Sequence, residues 1–479
     1  MLVVGMRWTD RAIGLLSTII LARLLVPEDF GLVAMATITI GLTSVFLEFG
    51  VHIALIQNAN ATKEHYDAAF TLRILQTSFL AVALWFVAPY AADYFHDERV
   101  TAILRWLSLG TLIGGFENVG VISFQKEMRF GLEFQLAFIR RISAFLVTVI
   151  VAWILRDYWA LVIGTLVSKT LGVWITYLAH PMRPRLSTKK IREIFSVSQW
   201  VLVQGIGNYL DKNLHRILVG RRASATTLGA YTLASEISAM PSTELLAPLN
   251  RVLFPSFVRV KDQPAEMKRL FLLAQGLQTT IVIPAALGLS LVAPEIVTLL
   301  LGERWLAAIP FLQWLVLGAA LRAITASPEY IMLTLNAVRS MAVVSWFRVL
   351  FFVVLAFLLL PQAGALELAI MRVATSAAGL GLTLWFLLRT VPSVRMSDML
   401  KTINRPVVAA AVMGGVLLWA QEFWLSEIPL VRLILGVTVG AFTYVVTLLS
   451  LWYLTRRPVG AEQYILQQLL LVYRRRCAN

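Results

Sequence analysis

The stretch WVLVQGIGNYLDKNLHRILVG (200–220) is long and apolar enough at its ends to cross a bilayer, yet Asp211, Lys212, His215 and Arg216 fall within it. A spanning helix needs about 20 mostly apolar residues to cover a hydrocarbon core of about 30 Å. Each charge near its centre costs about 2.5–3.5 kcal/mol on insertion scales, while each Leu or Ile returns only about 0.3–0.6. Three formal charges therefore oppose insertion by about 9 kcal/mol. Alone in lipid, this helix inserts poorly. It must face protein or water, so the chain reads as a membrane protein with a polar interior.

Working outward, apolar stretches lie near 3–25, 31–55, 68–92, 102–123, 135–155, 158–179, 197–219, 227–250, 270–300, 306–335, 338–360, 364–388, 406–424 and 429–454. The expected fold class is all-α and polytopic, with about 14 transmembrane helices. Composition agrees: the 479 residues are 58% hydrophobic and 14% charged, with mean hydropathy +0.76. Spans and short connections use up nearly the whole chain and leave no room for a soluble catalytic domain. The single cysteine, Cys477, can form no intrachain disulfide. The net charge of +15 invites a nucleic-acid reading, but Lys and Arg sit mainly between spans, where they set orientation.

The connections alternate in charge. One set holds RPRLSTKKIRE (183–193), RVKDQPAEMKR (259–269), the stretch with Arg389, Arg395, Lys401 and Arg405, and a basic tail. The other holds VPEDF (26–30), DYFHDER (93–99), RDY (156–158), GERW (302–305) and QEFWLSEI (421–428). The positive-inside rule then places both termini in the cytoplasm; one loop, with Arg221 and Arg222, disagrees. Trp106, Trp159, Trp200, Trp305 and Trp424 lie near span ends, as an aromatic belt predicts. Arg7, Asp10 and Arg11 interrupt any signal-peptide core at the N-terminus. The tail GAEQYILQQLLLVYRRR (460–476) reads as an amphipathic helix lying on the membrane surface.

A weak internal repeat appears at an offset of 198 residues: ILARLLVPEDFGLVAMA (20–36) lies over LVGRRASATTLGAYTLA (218–234), matching Arg23 with Arg221, Gly31 with Gly229 and Ala36 with Ala234. Both copies start from the cytoplasm, so the repeats are parallel, with a substrate site expected between them. Helical spacing sorts the polar residues of the same spans into stripes. Span 1 carries Arg7, Asp10, Arg11, Gly14, Ser17 and Thr18. Span 2 carries Thr37, Gly41, Ser44, Glu48 and His52. Span 7 carries Gln204, Asn208, Asp211, Lys212, His215 and Arg216, and span 8 carries Ser235, Glu236, Ser238 and Ser242.

Any one of these charges is as readily half of a structural ion pair as part of a site. Spans 1 and 7 each set two cations against one carboxylate, Arg7 and Arg11 against Asp10, and Lys212 and Arg216 against Asp211, and a local surplus of positive charge in a low-dielectric interior calls for water or an anion. Arg and Lys suit phosphate, Arg through its planar fork. The stripes thus point to a cavity that accepts an anion. Glu117 with Asn118, Arg322 with Thr325 and Glu329, and the single charges Arg348 and Arg372 are secondary candidates, favouring structural pairing about two to one. Pro241, Pro248, Pro284 and Pro310 are candidate kinks. There is no phosphate loop, no His or Cys cluster with metal spacing and no serine nucleophile motif, so neither an enzyme activity nor a cofactor is expected.

The segments LARLLVPEDFGLVAMA (21–36), LEFGVHIALIQ (47–57), FQKEMRF (124–130), LGAYTLASEISAMP (228–241) and FPSF (254–257) resemble the Wzx-type polysaccharide flippases of the multidrug/oligosaccharidyl-lipid/polysaccharide superfamily, nearest the colanic acid exporter branch. The likeness runs from Met1 to roughly Arg389, and the chain starts nearer its first span than that family usually does. It implies an N-lobe over 1–180 (spans 1–6), a basic cytoplasmic linker at 181–196, a C-lobe over 197–390 (spans 7–12), added spans 13–14 over 403–455, and a tail over 456–479. The implied activity is transfer of an undecaprenyl-diphosphate-linked oligosaccharide across the bacterial inner membrane, for surface polysaccharide synthesis. Related flippases carry arginines in helix 1, matching Arg7 and Arg11.

On this reading Arg7, Arg11, Lys212, Arg216 and His215 hold the diphosphate. Asp10, Glu48, Asp211, Asn208 and Glu236 line the cavity or bind a coupling proton or sodium ion. Membrane lipids and polysaccharide polymerase or assembly proteins are the remaining expected partners. A related cation or drug antiporter would favour carboxylates and aromatics, a membrane glycosyltransferase would carry a large outer loop, and a scaffold of the assembly machinery would transport nothing.

Overall fold

The computed structural model describes residues 2–45, 55, 58, 60–127, 129–194, 199–359, 361–423, 428–458 and 460–468, with backbone alone at 2–12, 130, 192, 194, 199–202 and 359. All regular structure among them is helical. The helices that matter below are α1 (Leu2–Leu24), α2 (Pro27–Val45), α3 (Lys63–Phe95), α4 (Arg99–Gly115), α5 (Ile122–Lys126), α6 (Phe130–Leu155), α7 (Trp159–Ala179), α8 (Gln199–Arg222) and α9 (Ala225–Met240). The chain continues through α10 (Ala247–Arg259), α11 (Pro264–Leu291), α12 (Ile309–Ile324), α13 (Ala326–Thr334), α14 (Val338–Val353), α15 (Ala365–Thr390), α16 (Met396–Gln421) and α17 (Pro429–Leu454).

Ten helices among the described residues are long and apolar enough to cross a membrane, or 11 when the bent pair Arg99–Gly115 and Val119–Lys126 is one span; Ile13–Leu24 is a shorter apolar helix. The expected spans 7 and 8 are absent from that group for physical reasons. Span 7 is α8, whose central charges break its apolar run. Span 8 is interrupted where Pro241 opens a π-helical turn over Pro241–Leu245, because proline withholds a backbone donor. Span 4 bends by 66°. Asn118 fixes that bend: its side chain accepts from the Gly120 amide at 2.9 Å and donates to the Met182 carbonyl at 2.7 Å.

Contacts divide the chain into two compact units, Met1–Thr232 and Leu233–Asn479. The cut falls inside α9, whereas the implied lobes meet at 181–196. In the first unit α3 packs on α4, α6 on α7, α1 on α6, and α2 on both α4 and α8. Leu21, Leu25, Ala152 and Ala160 form one buried core, and Leu55, Tyr66, Phe70, Val119 and Ile122 another. The basic linker is strapped to the start of α3, the Arg185 amide donating to Asp67 Oδ1 at 2.8 Å and the Ser187 amide to Thr71 Oγ1 at 2.7 Å.

In the second unit α11 packs against α12, α16 and α17. The Tyr444 hydroxyl donates to the Thr280 carbonyl at 2.9 Å, tying α17 to α11. The part of the tail that is described, 461–468, is helical and docks through Glu462, whose carboxylate accepts from Arg405 Nε at 2.8 Å and Nη2 at 3.1 Å. Trp305, expected in the aromatic belt, is fully buried. Trp106 is exposed and meets Trp159 edge to face at 6.4 Å. Trp424 and the Trp200 side chain lie outside the described residues.

Candidate functional site

The polar arc of α8 grades from buried to exposed. Asp211 and His215 are buried, Arg216 is half-buried, and Asn208 and Lys212 are exposed. His215 has a structural bond: its Nδ1 lies 2.8 Å from the Tyr231 hydroxyl on α9. A hydroxyl can donate or accept, so this contact tolerates either imidazole tautomer. The same helix is anchored to α2 where the Tyr209 hydroxyl donates to the Ile38 carbonyl at 2.6 Å. That bond needs Gly41, since a Cβ there would sit 2.5 Å from the Tyr209 oxygen. Glu236 is exposed on α9.

Arg7, Asp10 and Arg11 fall on α1, but their side chains lie outside the described residues, as do Glu48 and His52 entirely. What the structure adds on α1 is Arg141. A Cβ on Gly14 would lie 2.3 Å from Arg141 Nη2, so this guanidinium of α6 rests on the face of α1 that carries Gly14 and Thr18. Arg141 lies within span 5, beside Arg140, and is not among the sequence candidates; charge inside an apolar span is the signal that could have marked it, and only the packing of α6 on α1 reveals where it points.

Of the secondary candidates, Glu117, Glu329 and Arg348 fall in ion pairs. Arg73 Nη2 donates to Glu117 at 2.7 Å and to the Gly114 carbonyl at 2.9 Å, and Arg140 lies 3.4 Å from the other Glu117 oxygen. In the second unit, buried Arg348 reaches Glu329 at 3.4 Å, its stem lying over Gly379. Arg221 also finds a role. Its guanidinium donates to the Tyr94 carbonyl at 2.8 Å at the C-terminus of α3, where unpaired carbonyls favour a cation. That contact accounts for an arginine that disagrees with the charge rule.

The model of the family described as polysaccharide biosynthesis protein matches residues 20–310, more than half of the chain. The chain belongs to that family. This family member is 24% identical over 91% of its length to an uncharacterized membrane protein in the cps region of Klebsiella pneumoniae, covering 91% of that protein. It is 25% identical over 67% of both chains to the lipopolysaccharide biosynthesis protein WzxC of Escherichia coli. Against the succinoglycan biosynthesis transport protein ExoT of Rhizobium meliloti it is 24% identical, covering 90% of this chain and 88% of the other.

Among solved structures, its fold is similar to the lipid II flippase MurJ in an inward closed conformation, with TM-score 0.78 at 12% identity over 95% of this chain and all of the other. It is also similar to an inward-facing multidrug resistance MATE family transporter of the MOP superfamily, with TM-score 0.61 at 15% identity over 80% and 94%. The sequence motifs thus pointed to the right family, and this family member is a multi-pass helical membrane protein.

Proposed function

We propose that this polysaccharide biosynthesis protein flips a lipid-linked oligosaccharide across the bacterial inner membrane. A glycan cannot cross hydrocarbon unaided, because each unsatisfied polar group costs several kcal/mol there. The observation that carries the reading is cationic: on helices otherwise built to span, Lys212 stands exposed on α8 and Arg141 rests against Gly14 of α1. In this proposal the diphosphate docks on Arg7, Arg11, Lys212 and Arg216, with His215 and Asn208 beside it, and the lipid tail stays in the bilayer. The two lobes, 1–180 and 197–390, alternate access around it, with both termini in the cytoplasm. Asp10, Glu48, Asp211 or Glu236 carries a coupling proton or sodium ion, exchanging partners with the neighbouring cations as the cavity reopens.

The test is charge reversal, Arg11→Glu and Lys212→Glu, read as export of lipid-linked sugar to the outer leaflet. Both reversals are expected to abolish export. Export that survives both would remove the docking site from the mechanism. Internal accumulation of lipid-linked repeat units on deletion separates a flippase from a scaffold or drug pump.

A further inference from the structure

A cavity of about 360 Å³ opens within the first unit, walled by α3, the break after α4, α5, α6 and α7. Its polar wall comprises Arg73, Arg140, Glu117, Glu133, Gln125 and Thr176. We propose that this cavity binds a phosphate-bearing ligand, and that the Glu117 carboxylate stands in for the ligand's anion when the site is empty of it.

The argument starts from the donors. Each guanidinium offers five N–H groups. Arg73 engages Glu117 and the Gly114 carbonyl through Nη2 alone, and Arg140 engages Glu117 through Nη1 alone. Their side chains remain 31% and 44% exposed, while Glu117 is 14% exposed. Glu117 is thus the innermost member, with one oxygen given to each arginine. Glu133, the second carboxylate of the wall, accepts from Gln125. Lys169 adds a third cation nearby, its Nζ 3.8 Å from where a Cβ on Gly114 would stand.

Two partly exposed guanidinium forks around one carboxylate, both lining the cavity, have donors to spare, which suits an acceptor-rich anion. Phosphate oxygens match the fork geometry of arginine, two at a time. The volume falls in the usual range of ligand pockets, about 300–1,000 Å³. A purely structural ion pair needs no cavity beside it. The backbone also makes room for the carboxylate: the 66° bend carries Glu117 out of helical register, and a Cβ at Gly172 would lie 2.6 Å from its Oε1. These residues are separate from those of the proposed translocation site, so this inference does not rest on that reading.

The test uses full-length protein purified in detergent, with Arg11→Gln and Lys212→Gln in the background to silence the other basic site. Inorganic diphosphate is titrated calorimetrically, with thermal unfolding as the check on folding. Arg140→Gln should weaken binding about tenfold, the loss of one charge-assisted pair of bonds. Glu117→Gln should tighten it, because the built-in competitor is gone. Arg140→Lys keeps the charge, loses the fork and should fall between.

If Glu117→Gln does not fold, the graded loss through Arg140→Lys and Arg140→Gln carries the test. No binding of diphosphate by folded protein overturns the proposal. So does equal weakening by Glu117→Gln and Arg140→Gln, or affinity that ignores both. Repeating the titration in phosphatidylcholine nanodiscs with phosphatidate assigns the source: competition marks a lipid headgroup, and its absence marks a soluble phosphate. Should diphosphate fail to bind while Lys212→Glu still stops export, this site is wrong and the translocation reading stands.

Discussion

Gly31 and Gly229 occupy reciprocal positions. A Cβ on Gly31 would lie 1.8 Å from the Ala225 carbonyl oxygen, and a Cβ on Gly229 would lie 1.7 Å from the Pro27 carbonyl oxygen. The 198-residue offset that pairs Gly31 with Gly229 also pairs Pro27 with Ala225. Two copies of one helix start therefore press their first turns together about a local two-fold relation. Backbones approach this closely only where side chains are absent, as small-residue contacts between membrane helices do.

Overpacking this contact should be costly. Gly31→Ala and Gly229→Ala are each expected to destabilise the protein by about 1–3 kcal/mol, since the opposing atom is backbone and cannot turn aside. Thermal unfolding of the purified protein measures it.

The tail should be held by one buried ion pair. Glu462 is 2% exposed and Arg405 13%. Removing one partner of such a pair leaves an uncompensated charge and costs about 3–5 kcal/mol, whereas replacing both with apolar residues is often neutral. Glu462→Ala should therefore expose 461–468 to proteolysis, and Arg405→Met with Glu462→Leu should largely restore protection.

Linker docking should weaken in acid. Lys190, followed by His65, holds the Glu193 carboxyl below its ordinary value of 4.5. A depressed carboxylate stabilises the folded form above that ordinary value, and the contribution is lost as pH falls below 4.5 toward the folded value. Protection of the Arg185 and Ser187 amides, taken relative to their intrinsic exchange rates at each pH, should fall across that window in the native protein and change less in Glu193→Gln.

Arg221 should matter through α3. Arg221→Ala is expected to cost about 0.3–1 kcal/mol, the usual worth of a cation at a helix C-terminus. Faster amide exchange in the last turn of α3, with α8 unchanged, is the result that checks it.

Most of the fold was legible because membrane insertion is decided locally: a run of apolar residues must become a helix wherever water is absent. The same locality made the stripes on α8 readable as a 3.6-residue period. It failed where a helix breaks without losing hydrophobicity, as at Glu117: Gly114, Gly115, Asn118 and Gly120 are turn formers, but they sit in an apolar run, SLGTLIGGFENVGVISF (108–124), that reads as one straight span and does not give its 66° bend. It also failed for Trp305, because proximity to a span end predicts an interface and says nothing of what packs over the ring.

By itself, then, the sequence determined that this chain is a helical membrane protein, that cations fall inside some of its spans, and that helix starts recur at an offset of 198 residues. Hydrophobic period and charge cost act within one helix, so one helix suffices to read them. Only the tertiary structure decided which cation meets which partner: Arg141 with Gly14, Arg73 and Arg140 with Glu117, Arg405 with Glu462. Those pairings join residues up to 127 positions apart in the chain within one or two hydrogen-bond lengths, outcomes of how helices pack and not of any helix alone.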